Sequence, residues 1–320
     1  MTELAETAEK AETTDKVQTA DKPETGDKAE KGELESLKRA LRKEQLRLNI
    51  RKFAKNKLAV TGALLLVLML AAALFAPLAA PQGPFEMVVA NRLKPPGGEH
   101  LFGTDTFGRD LFSRVLYGAR ISLFIGAGVS LISFAFGLVM GLYAGYYKVM
   151  DNIIMRICDG LSAIPPILLA IAFMAVLGPS SLNVTISLAI VYTPGLARIV
   201  RSSALSVKEQ TYVESMRALG ASPTRIIWGH IAPNILGPVI VQASFIFANA
   251  IITEAALSFL GVGVPVPNPS WGNILYEGKT VIYNSWWMVV FPGVFTALSV
   301  LGLNLFGDGL RDILDPHTNG

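Results

Sequence analysis

The 320-residue chain is 51% hydrophobic, with a mean hydropathy of +0.44 and a formal net charge of only +3. Much of its charge lies in the first 57 residues, so the remainder is too apolar for an ordinary soluble domain, and no nucleic-acid partner is expected. The single cysteine, Cys158, excludes an intrachain disulfide.

Residues 1–37 repeat a small theme, "AETAEK", "AETTDK", "PETGDK", with almost no large apolar side chain, and are expected to be a disordered tail. Residues 38–57 carry many Lys and Arg, with Leu41, Leu46 and Ile50 at near-helical spacing. They form an expected basic juxtamembrane helix whose charge holds that end in the cytoplasm, a reading preferred over a specific lipid or partner site. The uncharged run 58–80 extends roughly 34 Å as a helix, enough to cross a hydrocarbon core. With 57 residues ahead of it, this run is expected to be an anchor rather than a signal peptide.

Five more apolar segments follow, at about 119–147, 163–178, 182–200, 235–262 and 286–306, giving an expected six-span, all-α membrane domain over 58–320. Six spans put both termini on one face. The basic N-terminal flank, Lys148, Arg156, Arg198, Arg201, Lys208, Arg217, Arg225 and Arg311 all fall on that face, which makes it cytoplasmic by the positive-inside bias. The outer loop, 81–118, opposes the bias with Arg92, Lys94, Arg109 and Arg114, but the denser N-terminal cluster outweighs it. Pro165, Pro166 and Pro194 are expected to break or kink spans three and four. In span five, Gln242, Asn249 and Glu254 are costly to expose to lipid, and so face either other helices or a watery path.

The three histidines, His100, His230 and His317, fall in separate loops or chain ends. The chain carries no GxxxxGK[ST], HExxH, CxxC or GxSxG motif, so no catalytic site is expected. His100, Asp105 and Asp110 have side chains that can ligate a metal. Their spacing better suits two i,i+4 ion pairs, Asp105–Arg109 and Asp110–Arg114, with Gly103 and Gly108 at a turn and a helix entry, and no metal site is expected.

Between spans four and five, in the loop 202–233, lies "YVESMRALGASPTRIIWGHIAPN". Helical phase puts Tyr212, Val213, Met216 and Leu219 on one face and Glu214, Arg217 and Ala218 on the other. Gly220 suits a left-handed C-cap and Ser222 an N-cap. Pro223 fits N1 of a second short helix, which carries Ile226, Ile227 and Ile231 and ends at Pro233. A Glu214–Arg217 surface pair is expected.

Glu214-Ser215-Met216, then Gly220, then Pro233 thirteen residues later, resembles the EAA signature of the membrane subunits of ATP-binding-cassette (ABC) importers. Ser215 and Met216 replace favoured alanines, and Ala232 replaces a leucine. "LFGTDTFGRDLFSRVLYGARISL", "ITEAALSFLGVGVPVPNPSWGNIL" and "GDGLRDILDP" are similar to the second membrane subunit, the permease C type, of dipeptide, oligopeptide and nickel importers, over about residues 50–316. The resemblance implies a multi-pass protein of a bacterial or archaeal cytoplasmic membrane, importing di- or oligopeptides, or else nickel or another small solute. It implies a coupling helix pair, with Glu214, Arg217, Ala218, Gly220, Ser222, Pro223 and Pro233, that docks into an ATPase. The implied partners are a homologous second permease in a heterodimer, two ATPase subunits that carry the ATP and Mg, and an extracytoplasmic solute-binding protein. This chain itself binds no cofactor on that reading. The rival readings are a secondary transporter or channel using Glu254, and a membrane-embedded enzyme.

Overall fold

The structure, a computed structural model, describes residues 40–41, 43–44, 47 and 50–314. The expected tail 1–37, several positions of the expected basic helix 38–57, and residues 315–320 with His317 lie outside the described residues. The chain divides into Met1–Lys52 and Phe53–Gly320, and the second unit holds the apolar helices.

These helices are α1 (Lys57–Leu74), α2 (Leu111–Tyr146), α3 (Lys148–Ser162), α4 (Pro166–Leu177), α5 (Ser181–Lys208), α6 (Thr211–Ala218), α7 (Pro223–Ile226), α8 (Ala232–Phe259), α9 (Trp271–Gly278) and α10 (Trp287–Leu314). Among the described residues there is no β-strand, only an isolated Thr104–Asp110 bridge. Helix starts follow local capping chemistry: Asn56 accepts the Leu58 and Ala59 amides, Asp110 the Ser113 amide and Ser270 the Asn273 amide, satisfying N–H groups that a first turn leaves open.

Five helical segments are long and apolar enough to cross a membrane, and α3 with α4 adds a sixth crossing if that bent pair is one span. This corrects the single span at 163–178. The pair bends by 92°, and α4 alone has 12 residues, about 18 Å of helix and too short for the hydrocarbon core. Pro165 stands in an extended conformation before Pro166 at the first position of α4, as expected where proline restricts its predecessor. Pro194, by contrast, is buried inside the unbroken α5.

Close helix contacts rest on missing side chains. Gly137, Gly141 and Gly145 along α2 meet Leu196, Val200 and Ala204 of α5. A Cβ at Gly141 would stand 2.6 Å from the Ala197 carbonyl oxygen. Glycines also close the α1–α10 contact, where a Cβ on Gly62 would stand 2.5 Å from the Phe306 amide nitrogen. The alternating helices put α6, α7 and the ends of α5 and α10 at one end of the bundle. The 81–110 segment and α9 lie at the other.

Candidate functional site

At the first end, α5 finishes at Lys208, whose ammonium donates to the carbonyls of Gly145 and Tyr146 at 3.3 and 2.8 Å. A cation there complements the C-terminal dipole of α2. Helix α6 then buries Val213 completely, with Tyr212 and Met216 packed against the same core. Gly220 turns the chain with φ +78°. The Ala221 amide donates to the Met216 carbonyl and the Gly220 amide to the Arg217 carbonyl, both at 3.0 Å, the paired bonds of a Schellman motif. Only a residue free of Cβ strain adopts this φ cheaply.

Beyond the turn, Ile226, Ile227 and Ile231 are buried in the core that holds Val213. The two arms are also tied directly, Asn234 donating to the Tyr212 hydroxyl at 3.1 Å and to the His230 carbonyl at 2.6 Å. Glu214, Arg217, Ala218, Gly220, Ser222, Pro223 and Pro233 are all exposed. Between the arms lies a cleft of about 350 Å³ lined by Met216, Leu219, Gly220, Ala221, Arg225 and His230.

Four details depart from the expectations. Leu219 is 86% exposed, because α6 ends at Ala218 and the turn swings Leu219 off the apolar face. Ser222 occupies the N-cap position of α7, yet its side chain makes no capping bond. No Glu214–Arg217 ion pair forms, since the Arg217 guanidinium lies 5.1 Å from the centre of the Tyr146 ring. Pro233 does not end the second helix. α7 runs through a π-helical turn, Ile227–Ile231, straight into α8, the Ala232 amide reaching the Ile227 carbonyl. Proline has no N–H for the α-helical ladder, and the wider π register, with the Asn234 side-chain Nδ2 donating to the His230 carbonyl, accommodates the loss.

The three polar residues of α8 do not share one environment. Glu254 is fully buried and accepts hydrogen bonds from Ser122 of α2 and Ser258, each at 2.8 Å. The same hydroxyl oxygens receive the amides of Trp271 and Val264, so one carboxylate joins α2, α8, α9 and the turn between them. Asn249 is exposed, and its carbonyl accepts from Tyr192 at 3.3 Å and from Thr253 at 2.9 Å. Tyr192 and Thr253 share a 2.6 Å hydrogen bond. Gln242 borders a cleft of about 500 Å³ with Ile199, Gly237, Val241, Phe245 and Arg311.

At the opposite end, Asp105 accepts from Arg109 and Arg114, both at 2.5 Å, and Glu277 of α9 accepts from the same two arginines at 2.7 and 3.0 Å. The expected Asp110–Arg114 pair is absent. Asp110 instead caps α2 and takes His100 Nδ1 at 2.9 Å, freeing Arg114 for the other two acids. Asp105–Arg109 does form, in a turn rather than on a helix. Among the described residues no three of His, Cys, Asp and Glu gather as metal ligands. Glu277 lies 168 positions from Arg109 in a short helix absent from the apolar pattern, so no local spacing signals it. Burial pushes its carboxyl up to about 7. Asp105 pushes the same way and Arg109 opposes.

Residues 133–320 match the family of binding-protein-dependent transport system inner membrane components, and residues 44–96 match the N-terminal transmembrane domain of oligopeptide transport permease C. The chain belongs to this family. A putative peptide transport system permease of Brucella abortus is 47% identical over 84% of this chain and 91% of its own length. The dipeptide transport system permease DppC of Alkalihalophilus pseudofirmus is 47% identical over 82% of this chain and 86% of its own. For the probable D,D-dipeptide permease DdpC of Escherichia coli the identity is 42%, over 83% and 89%. A chain of the inward-facing MetNI methionine ABC transporter covers 63% of this chain and 96% of its own, with a TM-score of 0.54 and 19% identity, a likeness of fold alone. The protein is thus a multi-pass ABC importer permease, without an ATPase site of its own, from a family that works with separate ATPase and binding-protein partners.

Proposed function

We propose that this permease is the C-type membrane subunit of an ATP-driven importer of di- or oligopeptides in a bacterial or archaeal cytoplasmic membrane, and that α6, the Gly220 turn and α7 are its coupling element. Both termini and the 211–234 segment then lie in the cytoplasm. The chain pairs with a homologous second permease and two ATPase subunits, which hold the ATP and Mg.

One observation carries the reading of the coupling element. A sharply capped helix pair, fixed to the core through Val213, Ile226, Ile227 and Ile231, presents Leu219 to solvent, with nothing within 4 Å of a Cβ built on Gly220. An apolar knob on a rigid mount suits a cleft in a partner that pushes and pulls. Movement at α6 reaches α8 through the Tyr212–Asn234 bond and the shared core, and the π turn lies between the contact and the membrane segment. An ATPase can bias the two gate states only through its different affinity for each.

Relatives named as peptide and dipeptide permeases support a peptide cargo. Gln242, Asn249, Tyr192 and Thr253 are the candidate path residues. They are uncharged hydrogen-bonding groups, suited to a peptide backbone, on neighbouring faces of α5 and α8 where lipid exposure is costly. Glu254 supports no ion-coupled reading, because it is fully buried and held by serine hydroxyls as a link between helices.

The test is uptake of a labelled dipeptide by the reconstituted complex. Gly220→Trp and Glu214→Lys are expected to insert and assemble normally and to keep hydrolysing ATP while uptake falls at least tenfold. Undiminished uptake from either correctly inserted variant overturns the coupling role.

A further inference from the structure

We propose that Arg311, in the last turn of α10, binds the carboxylate of a short peptide in the cleft it borders at the cytoplasmic end of the bundle. The proposal rests on the peptide-importer reading, which supplies a cargo with a free carboxylate and puts this end inside the cell.

An open track leads to the cleft. Ile199 follows Tyr192 by seven residues on α5, and Gln242 precedes Asn249 by seven on α8. Two helical turns keep each pair on one face, about 10.5 Å apart. Tyr192 and Thr253 join the two helices at one end of the track through their 2.6 Å hydrogen bond, and Ile199 and Gln242 line the cleft at the other. Between them Gly195 is exposed, with nothing within 4 Å of a Cβ built there, so no side chain of α5 blocks the way.

Helix α10 brings Arg311 to the far end of this track. Gly307 presses against Ser244 and Phe245, and a Cβ on Gly237 would stand 3.5 Å from the Leu314 Cβ. The two helices are therefore antiparallel neighbours, and Arg311, between those contacts, reaches the cleft of about 500 Å³. That volume falls in the range of about 300–1,000 Å³ typical of small-ligand sites.

Charge selects the ligand. Among the described residues lining the cleft, Arg311 alone is charged. It makes no hydrogen bond or ion pair among the described residues, and the neighbouring Asp312 is engaged by Asn56 at 2.8 Å. A guanidinium grips a carboxylate through two parallel N–H groups and repels an ammonium, so a zwitterionic peptide enters with its C-terminal end toward Arg311. Gln242 offers a donor and an acceptor to the peptide amide, while Ile199, Val241 and Phe245 receive an apolar side chain. A polar side chain in the cleft and a track lined by hydroxyl and amide groups suit a peptide better than the acyl chains of an anionic lipid.

The test uses the complete complex of both permeases and their ATPase subunits, without binding protein. Binding of labelled dialanine is measured by equilibrium dialysis, with unlabelled dialanine and its C-terminal amide as competitors. The wild type is expected to prefer the acid by at least about tenfold, Arg311→Gln to lose that preference and Arg311→Lys to keep most of it. Equal competition by acid and amide in the wild type, no binding of dialanine, or an undiminished preference in Arg311→Gln overturns the proposal. Native mass spectrometry supplies the other arm. An anionic phospholipid that the wild type retains and Arg311→Gln loses, with no acid preference in either, gives the site to lipid and overturns the proposal as well. A wild-type complex that imports peptide yet shows no acid preference refutes only this subsite. A chain that neither assembles with an ATPase nor imports refutes the importer reading, and this one with it.

Discussion

Glu277 shows at the scale of one residue how burial and charge compete. Two arginines reach its carboxylate, yet desolvation dominates and pushes its pKa to about 7 from an ordinary value of 4.5. A carboxyl raised on folding takes up a proton in the folded state between those values. Its contribution to stability is therefore complete below about 4.5 and is lost as the pH rises through about 7. Thermal unfolding of the detergent-solubilised complex should show wild-type stability falling across that window relative to Glu277→Gln, by at most about 1.4 kcal/mol per pH unit. Parallel pH profiles for the two proteins would refute it. The sequence revealed some single residues whose chemistry is local, while the local Glu214–Arg217 and Asp110–Arg114 pairs and the Ser222 cap did not form. The positive φ of Gly220 and the Asp105–Arg109 pair were readable, because turn geometry and i,i+4 spacing are properties of neighbours. The partners of Arg114 were not, because Glu277 comes from another helix and Asp110 is occupied by a cap.

Elements were legible in proportion to their hydrophobic run. The long spans announce themselves by composition, but their ends shift: the Asp110 cap starts α2 ahead of the apolar stretch, α5 and α10 run on past it to Lys208 and Leu314, and α1 stops short at Leu74. Helix α3 escaped the same reading because it is strongly two-sided, its acids held by α5 through Asp151–Arg201 and Asp159–Arg198. Helix α9 escaped because eight residues are too few to show a period. Pro233 misled for a physical reason: a proline normally ends a helix, but the π turn before it changes the hydrogen-bond register so that α7 and α8 run on. The α2–α5 contact shows what holds the spans together where lipid is as apolar as any side chain, namely backbone approach at small residues. Gly141→Leu should force these helices apart, costing about 1–3 kcal/mol and lowering the yield of assembled complex. An equal substitution at Gly195, with nothing within 4 Å of its Cβ position, should cost far less. Comparable thermal stability of the two variants would show that the tight contact is not structural.

The two ends of the whole molecule are held by different chemistry. At one, an ion network joins Asp105, Arg109, Arg114 and Glu277; at the other, the core residues Val213, Ile226 and Ile231 seat the helix pair. Glu254, between them, fastens α2 to α8 through Ser122. The direction of transport and the need for an ATPase came from family resemblance in the sequence, since neither leaves a mark in hydropathy or spacing. The proposed seating of α6 and the Gly220 turn in an ATPase is best tested by disulfide cross-linking. The one native cysteine, Cys158, is buried and leaves little background, and Ala218 is exposed on α6. Ala218→Cys is expected to cross-link to cysteines along the ATPase cleft, with an efficiency that ATP changes. No cross-link from Ala218→Cys at any of several cleft positions, in a complex shown to be intact, would contradict it.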